Sequence, residues 1–561
     1  MEVDRKLYPK QLLSILNRIA NASFISFDLE MSGISTKARH GMDKGSRDAG
    51  KPSLQQQYSE TKEAAETFQV LQVGITVVEE DREKGMYIAR PYNFHLSPLF
   101  LHGDRLNIDR KFGFSSSACD FLLKNHFDFG QVFNSGVPYL SREEEKYARE
   151  QYQIINGLNK RDDIVISLSE PQTLDFYRNA RKTITAWLDD KSDSRQSYVN
   201  ISNPDGPLNG YQRRLIHQLV QNEFPDYRTF ARHEKSFMQV EKTDKLREAE
   251  IQRRKLTEFN SMVAKQVGLR WIIEALCGGD LTSIDPWWFR DEAVENGNDM
   301  LARQALEKEF RQVAKALKEK EHVLVGHNLF TDLIFLYKTF IGELPSEVRD
   351  FQKKMHHLFP IVIDTKYLAT YDADAMNPRE GLKQLWEPFT LIHKPLVSLG
   401  EQHMSYGAVF GKDHEAGFDS WMTAELFVKL AAKIYSEQTD PELSPAGSDS
   451  EDDESDEDYN GSQDRNTEHT GGVRLNAPDT NDTDDSASDN ALPAWHAALE
   501  NNPFMALVME SEQAKRSAGG TEEIEQWLPD LDSWFWRIYS NKLRVNSVEG
   551  GVCHLSLVDI Q

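Results

Sequence analysis

Apolar residues fall along this chain in short runs, and the spacing inside each run predicts the element it forms. Phe24 to Glu30 reads FISFDLE, an apolar, β-prone run ending in two acids with a Ser-Gly turn signal just beyond, which predicts a buried central strand. Glu321 to Leu336 reads EHVLVGHNLFTDLIFL: His322 to Val325 predict another strand, Gly326-His327-Asn328 its exit, and Thr331 onward an apolar helix. In Asp413 to Glu425, DHEAGFDSWMTAE, a polar start gives way to an apolar helical pattern. Leu208 to Thr229 predicts a helix with Arg213 and His217 on one face. Lys37 to Glu66 is polar, rich in Gly and Lys, and predicts a loop.

The C-terminal part changes character. Ser444 to Ser488 is rich in Asp, Glu, Ser, Asn and Thr and nearly devoid of large apolar residues, so it cannot bury enough surface to order itself and predicts a disordered linker. Its acidic run, Ser450 to Asp458, repels polyanions and could compete weakly for basic surfaces; a passive linker is the simpler expectation. After it, Trp534-Phe535-Trp536-Arg537 predicts a helix, Lys542 to Val545 a strand and Gly550-Gly551 a turn. That stretch is shorter than a chain that folds alone, which makes a small element docked through its aromatics the expectation.

With 561 residues the chain has room for about two to four domains. A formal net charge of −25 argues against a generic polyanion binder, although the acidic linker carries much of the excess. The three cysteines, Cys119, Cys277 and Cys553, are widely spaced and lack a metal-ligand pattern, which suits a reducing compartment. No signal peptide and no apolar run of about 20 residues is seen, and a soluble intracellular protein, nuclear or cytoplasmic, is expected.

Candidate chemistry lies in the acids of the apolar runs. Strand side chains alternate between faces, so Asp28 and Glu30 point the same way, and carboxylates held so close repel unless a cation lies between them. Asp332 falls in a first helical turn, where the helix dipole favours a carboxylate, and His414 precedes Asp419 at another helix start. Taken singly, each has an ordinary reading as a strand-exit acid, a helix-start acid or a structural histidine.

Together, Asp28-x-Glu30, Gly-His-Asn with Asp332, and His414 with Asp419 resemble the three exonuclease motifs of the DEDDh superfamily, in the usual order. Further segments are similar to its poly(A)-specific ribonuclease branch of deadenylases: Glu30 to Ile34, Ser115-Ser116-Ser117 with Asp120-Phe121-Leu122, Phe127-Asp128-Phe129, Val137 to Leu140, Glu143-Glu144-Glu145, and Phe359-Pro360 with Asp364-Thr365-Lys366. The match covers most of residues 1 to 435.

This resemblance implies an RNase H-like α/β fold, a mixed twisted sheet flanked by helices. It also implies hydrolysis that releases nucleoside 5′-monophosphates from a free 3′ end. Cleaving a phosphodiester builds charge on the attacking and leaving oxygens, which two divalent ions about 4 Å apart stabilise. Mg²⁺, for which Mn²⁺ can substitute, takes hard oxygen ligands; Asp28, Glu30, Asp332 and Asp419 are the candidates, with His414 as the base. Met31, Ser32, His327 and Asn328 match substrate-contact positions; Met31 stands where deadenylases commonly carry Phe, which softens an aromatic contact to a thioether one.

The Arg213-x3-His217 helix resembles the R-3-H domain, associated with single-stranded nucleic acid, which this branch carries as an insertion. The expected layout is a nuclease domain at 1–164 and 246–435, the insertion at 165–245, an acidic linker at 436–490 and a C-terminal element at 491–561, with a reduced RNA-recognition module as one reading of the last. The expected partner is RNA with a free 3′ end, poly(A) first, with trimming of small or non-coding RNA precursors as the alternative; a homodimer is implied and a membrane is not. A catalytically weak RNA-binding scaffold and a DNA exonuclease remain as readings from other classes.

Overall fold

The computed structural model describes residues 1–37, 51–101, 103–156, 163–167, 169–289, 300–371, 380–406, 414–437, 527–545 and 551–556. In chain order its strands are β1 (Phe24–Met31), β2 (Val70–Asp81), β3 (Met86–Ser97), β4 (Val137–Pro138), β5 (Tyr198–Ile201), β6 (Tyr227–Arg232), β7 (Phe237–Lys242), β8 (Val323–Gly326), β9 (Ile361–Asp364), β10 (Leu396–Leu399), β11 (Lys542–Arg544) and β12 (Val552–His554). The main sheet has the order β10-β3-β2-β1-β8-β9, with β4 also paired to β3. β1, β2 and β3 form an antiparallel meander, while β8 joins β1, and β9 joins β8, in parallel. With helices over both faces, this is the mixed α/β sheet expected of an RNase H-like fold.

The period-two alternation of β1 assigns its residues to two layers. Ile25, Phe27 and Leu29 enter the larger core, with the Tyr8–Asn21 helix and Leu333 to Leu336. Phe24 enters the other core, edge-on to Phe427 of the long Ala416–Glu437 helix at 4.9 Å, and Ser26 on the same face donates its hydroxyl to Ser420 O. Asp28 and Glu30 continue that face beyond the apolar cover.

The Ala416–Glu437 helix begins almost in contact with β2. A Cβ on Gly74 would stand 1.8 Å from Ala416 O, so only glycine allows this approach. The two leading amides of the helix are taken by buried side chains: Ala416 N donates to Gln72 Oε1 and Gly417 N to Asn93 Oδ1. Thr76 and Ser420 join hydroxyls below them at 2.8 Å. Orphan N–H groups at a helix start are therefore satisfied inside the protein.

The loop expected from Lys37 to Glu66 is corrected in its second half, where Leu54–Thr67 is a helix; residues 38–50 lie outside the described residues. Ser53 caps it by accepting from Gln56 N, and Tyr58, Ala64 and Ala65 bury one narrow face. The polar remainder faces outward and masked the helical period.

Residues 171–242 form a smaller layer. The antiparallel sheet β5-β7-β6 packs against the Pro171–Asp189 and Gly210–Glu223 helices around its own core of Ile184, Ile201, Leu219, Met238 and Val240. The 23-residue helix Lys245–Val267 leads back, placing Phe259, Met262 and Val263 in the larger core. At the far end, the Trp534–Tyr539 helix and the β11-β12 hairpin wrap the β9 edge of the main sheet. Trp534, Phe535, Trp536 and Tyr539 enter one core, and Leu543, Val545, Cys553 and Leu555 the other. The acidic segment Ser444 to Ser488, with Gly550, lies outside the described residues. Among the described residues no helix is long and apolar enough to cross a membrane.

Replacing Gly74 with Ala is expected to destabilise the protein by about 3 kcal/mol, since the clash is with backbone that cannot rotate away. Urea unfolding measures this; an unchanged midpoint would mean the helix does not sit so close.

Candidate active site

Three elements deliver the four candidate carboxylates to one place. Asp28 stands opposite Gly74 and Glu30 opposite Gln72, and a register shift after Glu30 ends the regular ladder. Asp332 lies in the first turn of the Phe330–Leu336 helix and Asp419 in the first turn of the Ala416–Glu437 helix. Glu30, Asp419 and His414 each offer a ligand atom within 4.8 Å of the others. His414 is exposed, sits in the left-handed region at φ 68°, and meets the ring of Phe121 edge-on at 4.7 Å.

The electrostatics have one sign. Burial, followed by the charges of Asp419, Asp332 and Glu30, holds the Asp28 carboxyl well above the usual carboxylate range. Glu30 is raised in the same way, by burial and then by Asp419 and Asp332. Asp332 is raised by burial and then by Asp364. The named charges acting on these three acids are thus other carboxylates. Such a set of hard oxygen donors fits a divalent cation of the Mg²⁺ or Mn²⁺ type, which relieves the repulsion that the fold imposes.

The Gly326-His327-Asn328 exit is built around Asp364. This wholly buried carboxylate accepts from Asn328 N at 2.9 Å, Leu329 N at 3.4 Å and Lys366 N at 2.9 Å, fixing the turn that launches the Asp332 helix. Thr365 donates its hydroxyl to Gly326 O, so its oxygen accepts from His327 Nδ1–H at 3.0 Å. Burial, with Lys366 nearby, lowers the His327 pKa to about 3, so the ring is neutral and its Nε2 is an acceptor without a partner among the described residues. Asn328 is exposed at φ 58°.

Not every expected substrate contact faces outward. Ser32 is fully buried: its hydroxyl donates to Gly113 O and accepts from Gln69 N. The side chain therefore has no spare proton for a ligand, which corrects its expected role to that of a staple between β1 and the 113–115 segment. Met31 is half-buried and packed on the larger core. Arg213 and His217 lie on the smaller layer, where Arg213 Nη1 donates to Leu208 O and the His217 ring bonds to Thr229. Both are engaged within that layer, and partial desolvation with the Arg213 charge lowers the His217 pKa.

Phe121, beside His414, was missed as a site residue although Asp120-Phe121-Leu122 stands out in the sequence; nothing in its spacing reveals a contact almost 300 positions away. Asp364 was missed for the same reason. Gln72 and Asn93 carry no motif at all.

A sequence model of the CAF1 family ribonuclease matches residues 3–427. The chain belongs to the CAF1 ribonuclease family. Among curated members, the poly(A)-specific ribonuclease PARN of Xenopus laevis is 26% identical over 449 residues, 77% of this chain and 62% of that one. The pre-piRNA 3′-exonuclease trimmer of Bombyx mori is 26% identical over 454 residues, 77% of this chain and 71% of that one. The chain thus spans a little over three-fifths of the length of the PARN relative. Among solved structures, Schizosaccharomyces pombe Pop2p in its Mg²⁺- and Mn²⁺-bound form aligns at 13% identity with a TM-score of 0.31, covering 76% of this chain and 89% of that one.

The raised carboxyls of this CAF1 family site set a pH dependence. Between an acid's unfolded and raised folded pKa the folded chain binds more protons, so stability falls as pH rises through that window. In metal-free protein this contribution is complete below about pH 4 and is lost progressively as pH rises from there through the raised folded pKa values. Asp28→Asn, which removes one like charge, is expected to raise the metal-free thermal midpoint at neutral pH by roughly 2 °C or more, with the gain shrinking toward the acid end. A variant that melts lower than the unchanged chain at every pH would refute this.

Proposed function

We propose that the protein is a 3′-to-5′ exoribonuclease that shortens RNA 3′ ends, with poly(A) tails as the favoured substrate. The observation that carries this reading is the convergence of Asp28, Glu30, Asp332 and Asp419 with His414 in a chain of a ribonuclease family. Bound there, a pair of Mg²⁺ ions, or Mn²⁺ in their place, supplies charge stabilisation for the attacking and leaving oxygens. The four carboxylates hold the pair. A ring nitrogen of His414, at an open left-handed turn, takes a proton from the attacking water. His327 Nε2 presents an acceptor for a ribose hydroxyl, a contact that favours RNA over DNA if the hydroxyl is the 2′.

The layer at 171–242 serves in this reading as the R-3-H-type unit for single-stranded RNA. Its support is the Arg213-x3-His217 helix and, on β6, Phe230 flanked by the guanidiniums of Arg228 at 4.6 Å and Arg232 at 5.2 Å. A homodimer belongs to the same reading through the family resemblance.

A second reading, trimming of small-RNA precursors, has two supports: the silkworm trimmer as a relative, and Met31 in place of an aromatic, which weakens selection for a stacked adenine.

The test is a Mg²⁺-dependent time course on 5′-labelled oligo(A), mixed-sequence RNA and matching DNA. A ladder shortening from the 3′ end is expected with wild type. Asp28→Ala should lose at least about 100-fold in rate, and His414→Ala about 10²- to 10⁴-fold. Relative rates on the three substrates separate deadenylase, trimmer and DNA enzyme. No ladder from folded, metal-loaded wild type that still binds RNA would leave the scaffold reading.

A further inference from the structure

The C-terminal element reaches the candidate active site through one carboxylate. Asp364 Oδ2 accepts from Arg544 N at 2.9 Å, in addition to the amides of Asn328, Leu329 and Lys366. Four amides from three segments therefore converge on a side chain that is wholly buried. Arg544 lies in β11 opposite Val552, while Leu543 and Val545 turn into the core and Val545 N pairs with Gly551 O. The Arg544 amide is thus the one that points out of the hairpin and toward β9.

Asn541 secures the same edge. Its amide donates to Val362 O at 2.7 Å, its Oδ1 accepts from Val362 N at 3.2 Å and its Nδ2 donates to Pro360 O at 2.8 Å, so it completes the otherwise open edge of the sheet. The left-handed backbone at φ 60° gives Asn541 this double engagement. Beyond Asp364, the Asn328 and Leu329 amides set the turn from which the Asp332 helix starts.

We propose that the C-terminal element of residues 527–545 and 551–556 is a working part of the active site: Arg544 N–H orients Asp364, and Asp364, as a positioning residue, holds the Asn328-Leu329 turn so that Asp332 is aimed at the metal position. The proposal rests on the nuclease reading for what Asp332 does, while the linkage from the C-terminal element to the turn stands apart from it. A carboxylate accepting several backbone amides is held in one orientation, and a group that orients a metal ligand costs about 10- to 100-fold in metal affinity or activity when lost.

The test uses full-length protein with three substitutions. Arg544→Pro deletes the amide donor at a strand position that the hairpin itself does not use, Arg544→Ala removes the side chain but keeps the amide, and Asp364→Asn keeps shape but puts an NH₂ where amides must be accepted. In metal-free protein, hydrogen exchange of the Asn328 and Leu329 amides should quicken at least about 10-fold in Arg544→Pro and Asp364→Asn and stay near wild type in Arg544→Ala. Titration with Mn²⁺ alone should show affinity lowered about 10-fold or more in the first two. On RNA, kcat should fall while KM changes little, since an interaction serving the reacting centre has been lost and not substrate binding.

Unchanged exchange and Mn²⁺ affinity in both Arg544→Pro and Asp364→Asn would overturn the proposal, as would loosening in Arg544→Ala equal to that in Arg544→Pro. Should Arg544→Pro displace the whole hairpin, seen as rapid exchange at 541–545, Asp364→Asn decides alone. Wild type without nuclease activity would sink the functional reading and leave the exchange result to decide the linkage.

Discussion

Four carboxylates of like charge stand against one another at the end of β1, and much of the surrounding structure can be understood as what keeps them there. Repulsion and desolvation both oppose the arrangement, as the raised pKa values of Asp28, Glu30 and Asp332 record. Metal-free, these acids contribute nothing to their own placement, so the scaffold has to hold each of them by other means. Asp28 and Glu30 are fixed by an eight-residue strand that pairs with β2 along its length and with β8 at Ile25 and Ser26. Asp419 is fixed because its helix is bolted to β2 and β3 through Gly74, Gln72 and Asn93. Asp332 is fixed by the turn on Asp364. These anchors are buried polar groups with partners, and removing one partner strands the other at a cost of about 1 to 3 kcal/mol, which makes the placement resistant to drift.

Two residues beside the site also take an uncommon backbone conformation. Asn328 and His414 both take positive φ beside the site, and neither is glycine. A non-glycine left-handed residue costs on the order of 1 kcal/mol and persists where its surroundings determine it. At Asn328 the cause is visible, since the conformation turns its amide onto Asp364. At His414 it carries the ring toward Glu30 and Asp419 and against Phe121, a placement that an extended residue entering the helix would not achieve.

How much of this was legible in the sequence depended on the reach of each interaction. β1 and the Asp332 helix could be read directly, because a strand face and a first helical turn are local facts carried by period and spacing. The Leu54–Thr67 helix escaped because only four of its residues are buried, so a polar surface hid the period. Ser32 was misjudged because its partners, Gly113 and Gln69, come from other elements. Asp364 looked like part of a motif, while its meaning lies in amides 35, 36 and 180 positions away. Local chemistry could be recognised residue by residue; the carriers of that chemistry are joined only by the fold.

Charge raises the last point of physical interest. On the proposed function, a protein of formal net charge −25 needs its attraction to RNA to be local. At neutral pH the carboxylate cluster repels a phosphate until cations fill it, so metal binding and substrate binding are coupled in the same direction: each cation that relieves the acids also creates the field that the scissile phosphate requires. Away from the cluster, the guanidiniums flanking Phe230 are already partly engaged, with Arg228 paired to Glu241 and Glu248. If the proposed single-strand role holds, a weakly charged aromatic surface of that kind would bind through stacking more than through phosphate neutralisation, and stacking tolerates movement of the strand by one base at a time. On the proposed reading, an enzyme that removes nucleotides singly has to advance its substrate by one nucleotide after every cut. Loose contact at a distance with tight, metal-dependent contact at the cluster would suit that advance.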